Sequence, residues 1–319
     1  MDNYSMPPRG EPEQSTPRVR HTFTAPLLCA AVFLLLLLTQ TVDLSKAATS
    51  PTEVYLSLVA IQLFVFMLPS VFYIRYRGLD MRSELRMRLF APDKIMFVVL
   101  CSLVLIVSSI LVSAVSGAVG ESVYSYEYIS GSYTVENGAG IYYAICFALL
   151  PAICEEFLFR GIVMSEYQRT SIPAAVVINS LFFAMLHFDL TKLPFFFISG
   201  LVLSMCAYAA NSVIASACVH LAYNLFALFG GPLVNNVISS LGELTLIIIS
   251  LTVFLLLLLT LTFGECQRIY ASYSKKNKDS SYAVKHKKGT GALRFFMSLL
   301  SPMSLVCIVM YITVALLQK

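Results

Sequence analysis

The run Leu246-Ile-Ile-Ile-Ser-Leu-Thr-Val-Phe-Leu-Leu-Leu-Leu-Leu-Thr-Leu261 decides the fold. It is nearly all Leu, Ile, Val and Thr, and it sits inside a longer apolar stretch, 243–264. Roughly 20 consecutive apolar residues cross the hydrocarbon core of a bilayer as a helix. The run therefore reads as a lipid-facing membrane helix that carries no site.

Working outward, eight further stretches have the same character: 25–44, 53–74, 95–118, 141–163, 172–188, 193–210, 212–229 and 295–317. The chain has 319 residues, 58% of them hydrophobic and 13% charged, where a soluble domain carries about 25% charged residues. The length therefore implies one all-α polytopic membrane bundle of eight or nine transmembrane helices, with little outside it. The first stretch follows Arg18 and Arg20, with Lys46 and Ala47–Ala48 behind it. It reads as an uncleaved signal anchor.

Loop charge orients the chain, because Lys and Arg mark the cytoplasmic side. One basic block holds Arg75, Arg77, Arg82, Arg86, Arg88 and Lys94. The other runs from Arg268 through Lys275, Lys276, Lys278, Lys285, Lys287 and Lys288 to Arg294. Segments 119–140 and 230–242 contain no Lys or Arg. Nine spans with a cytoplasmic N-terminus put both basic blocks inside and both other segments outside. The net charge of +4 is thus explained by topology and anionic lipid, and not by nucleic acid.

The chain divides accordingly. Residues 1–24 form a disordered cytoplasmic tail, and 25–118 hold three transmembrane helices. Residues 119–140 form a polar outer loop rich in tyrosine, with Tyr124, Tyr126, Tyr128 and Tyr133. A core spans 141–229. Residues 230–319 hold the last helices around a basic cytoplasmic loop, 265–294. The eight cysteines form no CxxC pair and read as small buried hydrophobes.

Ionisable groups inside apolar helices are costly and mark functional sites. Three clusters stand out. The first is Pro151-Ala-Ile-Cys-Glu155-Glu156-Phe-Leu-Phe-Arg160-Gly161. Glu156 and Arg160, at i,i+4, share a helix face and can pair. Glu155 points about 100° away and faces something else, as suits a general base. The second cluster is Phe183-Ala-Met-Leu-His187, and the third is His220-Leu-Ala-Tyr-Asn224. Taken singly, each also admits a packing role, as a helix-end ion pair, a helix cap or an interhelical hydrogen bond. Taken together, Glu155, His187, His220 and Asn224 lie on three different spans. Such a set can activate water and stabilise an oxyanion.

At these residues the sequence resembles the CPBP family of intramembrane proteases, which comprises the CAAX prenyl endopeptidases and the bacteriocin-processing and immunity proteins. The family motifs EExxxR, FxxxH and HxxxN appear here in order, over roughly 141–229. The resemblance implies a four-helix catalytic core and hydrolysis of a membrane-associated protein or peptide. Glu155 would activate water with help from His187. His220 and Asn224 would form the oxyanion hole, and Glu156 and Arg160 would orient the site or bind substrate. It implies metal-free catalysis, although Glu155, His187 and His220 are also a set that holds Zn²⁺ with an open position. The expected partners are membrane lipids and a peptide or protein substrate. Two other classes remain open: a non-catalytic membrane scaffold or immunity protein of the same fold, and a transporter.

One tension is left. Positive-inside topology puts Glu155 nearer the cytoplasmic side and His187 nearer the outer end of its span. Extension of the fourth helix to about Gln168 would move Glu155 toward mid-membrane, and tilt would supply the rest.

Overall fold

A computed structural model describes residues 24–40, 51–118, 140–168, 171–230, 234, 243–276, 295–297 and 299–317. The N-terminal tail, the tyrosine-rich segment and most of the second basic block therefore lie outside the described residues, as does the region around Ala47–Ala48. Among the described residues the regular structure is all helical, with no strand.

Among the described residues, nine helices correspond to the nine apolar stretches. They are α1 (Ala25–Gln40), α2 (Pro51–Ile61, continuing through Gln62–Met67 to Leu68–Arg77) and α3 (Ile95–Ala118). Next come α4 (Gly140–Tyr167), α5 (Ile172–Met185), α6 (Leu193–Ala210) and α7 (Val213–Gly230). The last two are α8 (Leu244–Lys276) and α9 (Pro302–Leu317). Six of them, α2, α3, α4, α6, α7 and α8, are long and apolar enough to cross a membrane. Helices α1, α5 and α9 are apolar but shorter. The chain is a multi-pass membrane protein.

Local chemistry sets the ends. Ser171 caps α5, its hydroxyl accepting from the Ala174 N–H, and Ser212 caps α7 in the same way through Ala215. Helix α2 stops at Gly78 (φ 63°), and α6 stops at Asn211 (φ 54°). Both adopt the left-handed conformation that Gly and Asn tolerate best.

Three boundaries differ from the apolar stretches. Helix α5 ends at Met185, and the chain turns at Phe188 (φ 50°), so His187 lies in the turn and not within the helix. Helix α9 begins at Pro302, behind a Ser301 hydroxyl that accepts from the Ser304 N–H. Helix α8 runs past Gly264 to Lys276, because the ion pair between Arg268 and Glu265 (2.6 Å, i,i+3) carries the helix into polar sequence. Hydropathy sees the apolar content of a stretch but not its caps.

Among the described residues, four π-helical segments interrupt the bundle: Gln62–Met67, Ile145–Leu149, Phe157–Val163 and Phe226–Gly230. Such turns are rare and cluster at functional sites. The first two come just before Pro69 and Pro151. A proline ring collides with the carbonyl four residues earlier in a regular helix, and the wider π turn moves that carbonyl aside.

Packing places α4 near the centre. Helix α5 lies against α6, α8 along α3, and α9 along α1; α4 touches α5 and α7. The main core gathers Phe33, Phe159, Tyr167, Phe182, Phe183 and Phe188. A smaller patch joins Leu100, Val104 and Val107 of α3 to Leu258 of α8. Most of the apolar run of α8 looks outward, with Leu246 and Leu256 each 60% exposed, as a lipid-facing helix should, while Ile269 near its C-terminal end is buried in the main core.

One end of the bundle is tied by polar bonds. Lys94 Nζ donates to the Ala210 carbonyl (2.8 Å), and Tyr273 Oη donates to that of Ala209 (3.1 Å). Arg268 Nη2 donates to the Asp93 carbonyl (2.5 Å), and Arg86 bonds Gln168. Arg77 pairs with the buried Glu166 (3.3 Å), which also accepts from Thr24 Oγ1 (3.0 Å). In the loop between α2 and α3, the Ser83 hydroxyl and backbone N–H hold the Asp80 carboxyl below its usual range. The described parts of both basic blocks thus meet at one end, together with the α4–α5 and α6–α7 turns.

Candidate active site

Helix α4 places two neighbouring carboxylates in the core, with Glu155 8% and Glu156 0% exposed. They have different surroundings. Glu156 Oε1 accepts from Arg160 Nη1 at 2.6 Å and from His220 Nδ1 at 3.0 Å. The pairing of Glu156 with Arg160 is the one their i,i+4 spacing predicts. Glu155 Oε2 is buried and has no hydrogen-bond partner among the described residues. Its carboxylate is within electrostatic reach of His220, Glu156 and Arg160.

Arg160 is 1% exposed and almost fully engaged. Besides Glu156, it donates through Nη2 to the Gly200 carbonyl at 3.2 Å. Its guanidinium lies 4.3 Å from the centre of the Phe183 ring, a cation–π distance. Gly200 makes this possible. A Cβ there would stand 2.8 Å from Ser180 Cα and Cβ, so only glycine lets α6 approach α5 this closely. A lone glycine inside an apolar helix is a packing signal in the sequence.

Phe183 is the hub. Its ring meets those of His187 (5.3 Å), His220 (5.8 Å) and Phe159 (5.5 Å) edge to face. His187 lies flat on Phe196, with centroids 3.6 Å apart and planes at 12°. His187 Nδ1 also donates to the Phe183 carbonyl at 3.1 Å. Carbonyl and carboxylate oxygens only accept, so Nδ1 carries the hydrogen in both histidines. The Asn224 amide donates to the Ala148 carbonyl at 3.3 Å, which ties α7 to α4.

The clusters are thus drawn together from α4, α5, α7 and the turn after α5. Residues Arg160, His187 and His220 share the Phe183 ring, and His220 reaches Glu156. Asn224 joins the assembly through the backbone of α4, one π turn before the glutamates. Among the described residues no hydrogen bond or ion pair joins Glu155 to His187, and what bears on their relative depth is helix length. Helix α4 does run on to Tyr167, and the 14 residues of α5 rise only about 21 Å at 1.5 Å each. His187 therefore stops short of a full crossing of about 30 Å.

Sequence reasoning missed the π turns on either side of Glu155 and Glu156, the Phe196 stack and the bond between Glu156 and His220. The proline at 151 signals the first of those turns. No local pattern signals the other contacts, because they join residues far apart in the chain. Among the described residues, no three His, Cys, Asp or Glu side chains are grouped to hold a metal ion.

A multi-pass helical bundle with buried Glu, Arg and His side chains and a half-buried Asn beside them defines the class. Residues 137–226 match the family model described as "Type II CAAX prenyl endopeptidase Rce1-like". The chain carries a domain of that family, and all three motifs fall inside it. No curated protein and no solved structure matches the chain. The family is one of CAAX prenyl endopeptidases, so the match implies a membrane protease acting on protein or peptide.

Proposed function

We propose that the chain is an intramembrane endopeptidase in which Glu155 activates water for attack on a peptide carbonyl. The observation that carries this reading is the contrast between the neighbours. Glu156 accepts through Oε1 from both Arg160 and His220, with its Oε2 unpaired, whereas among the described residues neither Arg160 nor His220 bonds Glu155, whose buried Oε2 is also without a partner. A buried carboxylate oxygen of that kind needs a proton donor, and water or substrate can supply one.

In this mechanism His187, with Nδ1–H spent on a carbonyl, offers the Nε2 lone pair to the attacking water. The water oxygen bonds to the carbonyl carbon, its proton passes to Glu155, and the π pair moves to the carbonyl oxygen. His220 and the second N–H of the Asn224 amide donate to that oxyanion. When the C–N bond breaks, Glu155 returns the proton to the leaving nitrogen. Glu156 and Arg160 hold the site in order. The chemistry requires no resident metal: Glu155 acts on water directly, and activity should survive thorough chelation.

The nine helices would all span, with the N-terminus in the cytoplasm and α4 to α7 as the catalytic core. The tail 1–24, the helices in 25–118, the outer loop 119–140 and the segment 230–319 would frame that core. The substrate would be a membrane-associated protein or peptide, and a prenylated CAAX reporter is the natural first probe. Glu155→Ala should abolish cleavage of such a reporter, a loss of about 10²–10⁴-fold, while insertion and folding persist. Equal cleavage by this variant would remove Glu155 as the base. If Glu155→Gln restores a cellular phenotype in full, the protein is a non-catalytic binder of the same fold.

A further inference from the structure

Among Glu155, His187, His220 and Asn224, His187 alone lies outside a regular helix. Helix α5 ends at Met185, and the chain turns at Phe188 (φ 50°). A turn fixes a side chain less closely than a helix does, so the imidazole is oriented by its neighbours. Phe196, in the first turn of α6, lies flat against it, with centroids 3.6 Å apart and planes at 12°. Phe183 meets it edge to face at 5.3 Å, and Nδ1 donates to the Phe183 carbonyl at 3.1 Å. The stack sets the plane of the ring, and the hydrogen bond sets its rotation within that plane. Nε2, across the ring from Nδ1, then has one fixed direction.

Packing alone does not ask for this arrangement. Aromatic rings prefer offset or edge-to-face contact over full overlap, and Phe196 meets its neighbour Phe195 at 57°. The overlap with His187 is imposed by the turn between α5 and α6, and that turn is braced. Asp189 accepts from the Lys192 backbone N–H (3.0 Å) and pairs with the Lys192 ammonium (3.2 Å). Tyr311 of α9 donates to the Asp189 carbonyl at 3.1 Å. The Phe196 N–H donates to the Lys192 carbonyl at 3.0 Å. Phe195 meets Tyr223 of α7 at 5.7 Å, one residue before Asn224. Phe196 therefore stands on a support tied to both α7 and α9.

We propose that Phe196 is a positioning residue that holds the His187 imidazole in the plane from which Nε2 reaches the attacking water. The role rests on the protease reading, in which His187 assists Glu155. Phe196 supplies no charge and no proton, so its whole effect is geometric. Without the flat ring the imidazole can rock about its bond to Cβ, and a displacement of about 1 Å at a reacting group costs up to about 10²-fold in rate.

The test combines kinetics with NMR of the full chain in lipid nanodiscs, its histidine rings labelled with ¹³C. The chain has four histidines, and replacing His21 and His286 with Gln isolates the two in the site. In this parent the His187 ring protons should be shifted upfield by the Phe196 ring current, with C–H dipolar couplings near the rigid limit. Phe196→Leu should lose both signatures, and kcat for the reporter should fall by up to about 10²-fold with KM unchanged. Phe196→Tyr keeps a flat ring and should restore most of both. Because Phe196 acts through His187, adding Phe196→Leu to His187→Ala should cost no further turnover. A general loss of packing would lower kcat in both backgrounds.

The proposal is overturned by a Phe196→Leu variant with unaltered kcat, by a loss confined to KM, by additive losses in the double variant, or by an unchanged His187 spectrum. If Phe196→Leu does not insert, Phe196→Met, which keeps the apolar bulk without a ring, gives the same reading. The spectrum does not depend on turnover. A chain that cleaves no reporter yet loses His187 order in Phe196→Leu removes the protease reading and upholds the anchoring of the ring.

Discussion

Helices α4 and α8 are both long, apolar and able to span a bilayer, yet they do opposite work. Helix α8, with 33 residues, shows most of its leucines to the outside and touches the bundle through α3 and α6. Helix α4 buries Glu155, Glu156, Arg160 and Glu166 and carries two π segments. Hydropathy places both in the membrane and cannot tell them apart. What separates them is where the costly groups are, and whether the backbone departs from regular geometry near them. A span whose ionisable groups are engaged by other helices is a site, whereas a span without such groups is a wall.

That contrast can be broken by substitution. The largest effect is expected from Arg160→Ala. It leaves the Glu156 carboxylate in the core with His220 as its remaining hydrogen-bond partner, and losing one member of a buried pair costs about 3–5 kcal/mol. Thermal unfolding in detergent should register this as a large drop, with loss of cleavage. Gly200→Ala comes next. Its new Cβ meets backbone and side chain of Ser180 at 2.8 Å, and overpacking of this kind costs about 1–3 kcal/mol. It should also disturb the carbonyl that Arg160 uses, so activity should fall further than stability suggests. The smallest effect is expected on the wall. Leu256 is 60% exposed, and Leu256→Ala should stay within about 0.5 kcal/mol with unchanged cleavage. A large loss there would mean that α8 is not a passive face.

Much of this was legible in the sequence. Nine apolar stretches predict the nine helices, and the spacing of Glu156 and Arg160 predicts their pairing. The polar residues of three motifs predict which helices converge. Other features were not legible, for identifiable reasons. The end of α5 depends on the left-handed turn at Phe188, which no glycine or asparagine announces. The partner of His220 lies 64 residues away on α4, and nothing in the local pattern of α7 points to it. Asn224 looked like a free amide donor, yet it also ties α7 to the Ala148 carbonyl, a backbone group that no side-chain pattern reveals. The close approach of α5 and α6 was half visible, as a lone glycine whose neighbour, Ser180, could not be named in advance.

The central claim is that Glu155 faces water inside the bundle. An experimental density map of the protein in lipid, sharp enough to show ordered water, tests it most directly. The account predicts a water within about 2.6–3.2 Å of Glu155 Oε2, also within hydrogen-bond reach of His187 Nε2, in a space bordered by His220 and Asn224. Acyl chains packed against Glu155, or a dry contact that leaves His187 facing elsewhere, would contradict it.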